Sequence, residues 1–121
     1  PFRLPKLLQD EGVLFCIENS GDKEAMGTRN LPFYAGTAAA HGLTYDQAVM
    51  AVTLSTAKIL GVADKIGSLE KGKHASLFIS EGDALDMRTN DVVKAFVQGR
   101  MIDLDNRQKQ LYRKFRTKYS Q

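Results

Sequence analysis

The sequence predicts a mixed α/β chain, with helices in its first half and short strands in its second. Three observations predict this. A run of five apolar residues, Val13-Leu14-Phe15-Cys16-Ile17, lies between Gly12 and the polar stretch Glu18-Asn19-Ser20-Gly21-Asp22. Helical patterns follow it, punctuated by Gly42 and Gly61. After Asp64 the texture changes to turns and short apolar runs. The 121 residues, 43% apolar and 26% charged, suit one globular domain with a real core. They are too few for a complete eightfold α/β barrel, which needs about 250 residues.

Each element has a local reason. Leu4 to Gly12 reads as a short helix stopped by its glycine. The apolar run 13–17 does not alternate, so it predicts a strand buried on both faces with Cys16 inaccessible. Such strands belong to parallel sheets wrapped in helices. Residues 18–29 form a polar loop after the strand's C-terminal end. Asn30 is placed to cap a helix that carries Pro32 near its start and stops at Gly42. Thr44 with Gln47 is a capping-box pair for the next helix, which has an apolar side in Ala48, Val49, Ala51 and Val52. Ser55 is placed to cap a third helix ending at Gly61.

Beyond Asp64, Ile66 to Lys73 reads as a hairpin-like crossing and Ala75 to Ile79 as a strand. Val92 to Val97 reads as another strand, with a turn at Gln98-Gly99-Arg100 into Met101-Ile102. Leu111, Tyr112, Phe115 and Tyr119 make one stripe of a helix over 105–119, packed by that stripe and capped by Asp103 or Asp105.

Charge is unevenly placed. Seventeen basic and fourteen acidic side chains give +3, yet six basic residues follow Asn106 with no acid among them. Residues 1–106 therefore carry eleven basic and fourteen acidic side chains. The pI near 9.1 belongs to the tail. A nucleic-acid binder usually spreads its basic residues over one folded face. No apolar run approaches the roughly 18 residues of a membrane-spanning helix. The lone Cys16 cannot form an internal disulfide, and Pro1 at the first position suggests a processed or truncated piece, which leaves localisation open.

Few residues offer chemistry. One cysteine and two distant histidines cannot close a zinc site, and no phosphate loop, nucleophile elbow or HExxH helix is present. His41 reads as a surface residue at a helix end, His74 as a turn residue and Cys16 as an inert buried side chain. The best candidate is the cluster Glu18 to Asp22, because catalytic groups in α/β sheets gather at the C-terminal ends of strands. A carboxylate there can ligate a metal or take a proton from metal-bound water. The competing reading is a well-formed turn. For the basic tail the competing readings are a grip on phosphates with tyrosines stacked on bases, or a helix packed on its parent protein.

Three stretches resemble the C-terminal portion of the metal-dependent amidohydrolases, on their imidazolonepropionase-like side. They are Gly12 to Asp22, Asn30 through Leu43-Thr44 to Gly61, and Ile66-Gly67-Ser68-Leu69-Glu70-Lys71-Gly72-Lys73-His74-Ala75-Ser76-Leu77 with Val92 to Arg100. The resemblance implies the last strand and helices of a TIM barrel over 1–63 and strands of an accompanying β-sandwich over 64–104; the stripe and the charge add a basic C-terminal helix over 105–121. It implies hydrolysis of amide or cyclic C–N bonds in a small-molecule or dipeptide-like substrate, with a divalent metal, zinc by preference. The family's metal-binding histidines lie on earlier strands, so this segment is expected to bind no metal and to be inactive alone. Its partner would be the upstream remainder of the barrel, and self-association through the exposed strand flanks is expected.

The one site residue the resemblance assigns here is a strand-end aspartate that touches the metal and takes the proton of the attacking water. Counting from Gly12, its position falls on Ser20. Either a lengthened loop lets Asp22 fill both the catalytic and the metal role, with Glu18 as second choice, or the carboxylate is lost. Ser76 also stands where the family usually has aspartate. Two other readings stay open: a non-catalytic relative serving in binding or assembly, and a nucleic-acid-binding module working through the basic helix.

Overall fold

The computed structural model describes residues 1–19, 21 and 24–119. Helix α1 (Leu4–Asp10) opens the chain with Pro5 in its first turn. A 3-10 helix (Glu24–Asn30) leads into α2 (Leu31–Ala40), then α3 (Tyr45–Val52) and α4 (Leu54–Ile59). Strands β1 (Leu77–Ser80), β2 (Val92–Val97) and β3 (Arg100–Met101) follow, and α5 (Arg107–Tyr119) is last.

Three helices end alike. After α2 the N–H of Leu43 donates to Ala38 O and that of Gly42 to Ala39 O. After α4, Val62 N–H donates to Ala57 O and Gly61 N–H to Lys58 O. Gly12 and Val13 repeat the pattern on Gln9 and Leu8 after α1. This paired closure needs a left-handed residue, and the φ of +120° at Gly42 and +70° at Gly61 is why glycine stands there.

The N-termini agree with expectation only in part. Thr44 and Gln47 form the complete capping box, with Gln47 N–H on Thr44 Oγ1 at 3.2 Å and Thr44 N–H on Gln47 Oε1 at 2.9 Å. Asn30 holds the cap position of α2 but makes no capping bond, because the 3-10 helix runs straight into α2 and leaves Asn30 near helical dihedrals. Ser55 is inside α4; the chain bends two residues earlier, at Thr53, where φ is −130° and ψ −91°. Helix α5 is capped by Asn106, whose Oδ1 accepts the Lys109 N–H at 2.9 Å, and not by Asp103 or Asp105. Asp105 instead pairs with Arg113 at 2.7 Å.

The apolar run 13–17 departs most from expectation. It is extended but pairs with no strand among the described residues, and it is not buried on both faces. Val13 and Leu14 are 48% and 56% exposed, and Cys16 is half-buried. Phe15 and Ile17 pack on the helices, and the Ile17 N–H donates to Ala51 O of α3 at 3.0 Å. A buried strand needs neighbours on both edges and both faces; here helices alone supply one side.

The core is built from small side chains: Ala35 and Ala38 of α2, Ala48 of α3, Leu43 between them, and Leu85. Alanine faces let α2 and α3 approach closely. Leu85 comes from the loop between β1 and β2, so the strand-rich part is plugged into the helical part. Gly36 makes room for it, since a Cβ there would lie 2.2 Å from the Leu85 carbonyl oxygen.

The antiparallel sheet has the order β1-β2-β3, pairing Leu77 with Phe96 and Val97 with Arg100. Gln98 and Gly99, with φ of 50° and 78°, close the β2–β3 hairpin in the two-residue geometry that suits twisted strands. Ile66 to Lys73 forms turns and no hairpin-like crossing; Lys73 bridges Glu70 at 3.1 Å, and His74 N–H bonds Lys65 O.

Candidate functional site

The loop following the extended segment is where chemistry was expected. Asp22 and Ser20 lie outside the described residues. Glu18 is exposed at the start of the loop, and the Asn19 amide lies against the 3-10 helix. A Cβ on Gly27 would stand 2.6 Å from Asn19 Nδ2, which marks how closely the Asn19 side chain lies on that helix. The expected site is therefore bounded by the end of the extended segment and by the 3-10 helix that leads into α2.

The histidines lie on different elements. His41 sits at the C-terminal end of α2, its ring stacked on Phe2 with centroids 5.3 Å apart. His74 lies in the turn before β1, exposed. Among the described residues no three His, Cys, Asp or Glu side chains gather where they could hold a metal ion.

One polar constellation escaped the sequence reading. Asp83, in the loop that carries Leu85, accepts the Tyr45 hydroxyl at 2.8 Å and the Leu85 N–H at 2.8 Å through the same oxygen. The hydrogen bond to the Asp83 carboxylate holds the Tyr45 phenol above its ordinary pKa, with burial and the carboxylate's charge adding to it. Nearby, Asp86 accepts from Arg88 N–H at 3.0 Å and Thr89 Oγ1 at 2.9 Å, bonds that lower its pKa. These groups border an open groove of about 510 Å³ shared with Tyr34, Thr37 and Met87. Both carboxylates are spent on closing turns, so the cluster locks the loop to α3. The visible signal was Gly82-Asp83-Ala84-Leu85-Asp86, an apolar residue set between turn-forming aspartates.

Ser76, the second departure from the family pattern, has a plain structural use. Its Oγ accepts the N–H of Gln98 at 3.0 Å and holds the β2–β3 turn against the segment before β1. An acceptor oxygen is what the position needs, and serine supplies one.

The chain is thus a mixed α/β unit, an extended segment lying on helices and followed by a small antiparallel sheet. The profile of the amidohydrolase family matches residues 3–102. The chain belongs to the amidohydrolase family. Among solved structures it is similar to an amidohydrolase from Thermotoga maritima, 27% identical with a TM-score of 0.72, covering 84% of this chain and 26% of that one. It is also similar to a zinc-bound adenosine deaminase from Xanthomonas campestris, 24% identical with a TM-score of 0.57, covering 93% and 32%. A further solved amidohydrolase is 19% identical with a TM-score of 0.65, covering 86% and 26%. The chain thus spans between a quarter and a third of the length of these structures. No curated protein matches it.

Proposed function

We propose that this chain is the closing segment of a metal-dependent amidohydrolase, imidazolonepropionase-like in its third motif, acting on amide or cyclic C–N bonds. The observation that carries the reading is the family match over residues 3–102, joined to a likeness that spans only a quarter of the Thermotoga maritima chain. The exposed Val13 and Leu14 support it, since they are the flank an upstream barrel strand would cover, or a second copy of the chain in its absence. The zinc bound by the Xanthomonas campestris relative favours zinc in the complete site.

The described residues do not make a metal site by themselves: they gather no set of three donors, where a catalytic zinc takes three protein ligands. The segment's own contribution is proposed to be one carboxylate, Asp22, five positions after the apolar run 13–17 in the sequence, taking a proton as general base. A second reading, a relative that has lost the chemistry, is favoured by Ser20 standing where the resemblance puts the aspartate.

The purified 121-residue chain is expected to bind no stoichiometric zinc and to hydrolyse neither cyclic amides nor dipeptides. Stoichiometric zinc with turnover that a chelator abolishes would overturn this. In the longer protein, Asp22→Asn is expected to lower kcat by about 10²–10⁴-fold. Undiminished turnover would remove Asp22 from the site, and a longer protein inert with every metal offered would favour the second reading.

A further inference from the structure

Helix α5 was expected to bury its stripe, and it does not. Leu111, Tyr112, Phe115 and Tyr119 are 39%, 64%, 45% and 73% exposed, and no residue of the helix is buried. At about 100° per residue they occupy an arc of about 100° on one side of the helix. Phe115 and Tyr119 stack with ring centroids 6.2 Å apart, which makes this side a continuous apolar strip. The opposite side faces the sheet: Lys109 and Arg113 border a cleft with Val93 and Met101, and Arg113 is held there by Asp105. None of the four strip residues lines that cleft.

Cations flank it along both edges. Arg107, Lys114 and Lys118 lie on one edge and Arg116 on the other, and the helix contains no acidic residue. We propose that α5 is an interfacial anchor that lays this strip into an anionic lipid surface, with the flanking Lys and Arg at the headgroup level. Aromatic and leucine side chains on one face, bordered by Lys and Arg, are the pattern of a helix lying in the plane of a bilayer interface. It is not a span: no described helix is long and apolar enough to cross a membrane.

Charge decides between occupants. A second copy pairing strip to strip would bring two all-cationic helices together with no acid on either to offset the repulsion. Nucleic acid would satisfy the cations through its phosphates but leave Leu111 and Phe115 in water. An anionic bilayer satisfies both parts of the helix at once. The proposal rests on the rest of the longer amidohydrolase leaving this strip open; the family match itself ends at residue 102, before α5.

The test is co-sedimentation of the 121-residue chain with vesicles. Mixed phosphatidylglycerol–phosphatidylcholine vesicles should bind it at least about tenfold more tightly than pure phosphatidylcholine, and added salt should weaken the binding. The pair Leu111→Gln with Phe115→Gln keeps the charge and helix propensity, and should weaken vesicle binding by about tenfold or more while leaving the melting temperature unchanged. The pair Lys114→Gln with Lys118→Gln should erase most of the preference for anionic lipid. Failure to sediment with anionic vesicles overturns the proposal, as does a Leu111→Gln/Phe115→Gln chain that binds as its parent does. Tighter binding to an unrelated DNA duplex than to vesicles would overturn it in favour of nucleic acid. A dimer that Leu111→Gln dissociates would overturn it in favour of a second copy.

Discussion

At residue scale, two contacts decide how the loop between β1 and β2 sits on the helices. Gly36 lies directly beneath the Leu85 carbonyl, so a methyl there must displace backbone rather than a flexible side chain. Gly36→Ala is expected to destabilise the fold by about 1–3 kcal/mol in urea unfolding, against the small gain alanine usually brings to a helix. Tyr45 holds the same loop from the other end. Its pKa is raised above 10.0 because the neutral hydroxyl donates to Asp83. A raised folded pKa means that the contribution is fully present below the unfolded value and lost as pH rises through the folded one. As pH rises through 10.0 and beyond, the wild-type chain should therefore lose more stability than Tyr45→Phe. Equal losses in parallel urea titrations would show that the hydrogen bond contributes nothing.

The helix ends and the hairpin show how far local chemistry reaches at element scale. Gly12, Gly42 and Gly61 as helix stops, the Thr44–Gln47 box and the Gln98–Gly99 turn were all legible, because each depends on dihedrals and hydrogen bonds within a few residues. Asn30 and Ser55 misled because competing structure begins next door: a 3-10 helix before one and a sharp bend at Thr53 before the other. The run 13–17 misled for another reason, since apolar sequence encodes a demand for burial and cannot name the neighbour that meets it. In this chain α3 meets it through Ala51 O on the Ile17 N–H. The Ile17 amide should accordingly exchange with solvent deuterium much more slowly than that of Leu14, whose side chain is 56% exposed. Comparable exchange at the two amides would mean that the segment is not docked on α3.

For the whole molecule, stability depends on Leu85 joining the strand-rich part to a core otherwise made almost wholly of alanine. Leu85→Ala is expected to cost about 2–5 kcal/mol and to lower one cooperative unfolding transition. Two separate transitions, with only one of them shifted, would mean that the helical part and the sheet fold independently. The candidate site is incomplete at this scale: His41 is stacked on Phe2, His74 is in a turn before the sheet, and no donor set forms among the described residues. The chain spans only 26% and 32% of the solved structures it resembles.

By itself the sequence determined the family, the helix boundaries set by glycine and by the capping box, the hairpin turn, and the separation of an acidic body from a basic tail. Each of these rests on the identity of residues close together in the chain. Only the tertiary structure decided that 13–17 pairs with no strand among the described residues, that Leu85 and not a larger side chain seals the alanine core, that Tyr45 meets Asp83, and that the α5 strip stays exposed. Those outcomes join residues 34, 38 and more positions apart, or depend on a surface that the described residues leave exposed. Burial and long-range hydrogen bonding are properties of the assembled neighbourhood, so a local pattern can state the need for them but not where it is met.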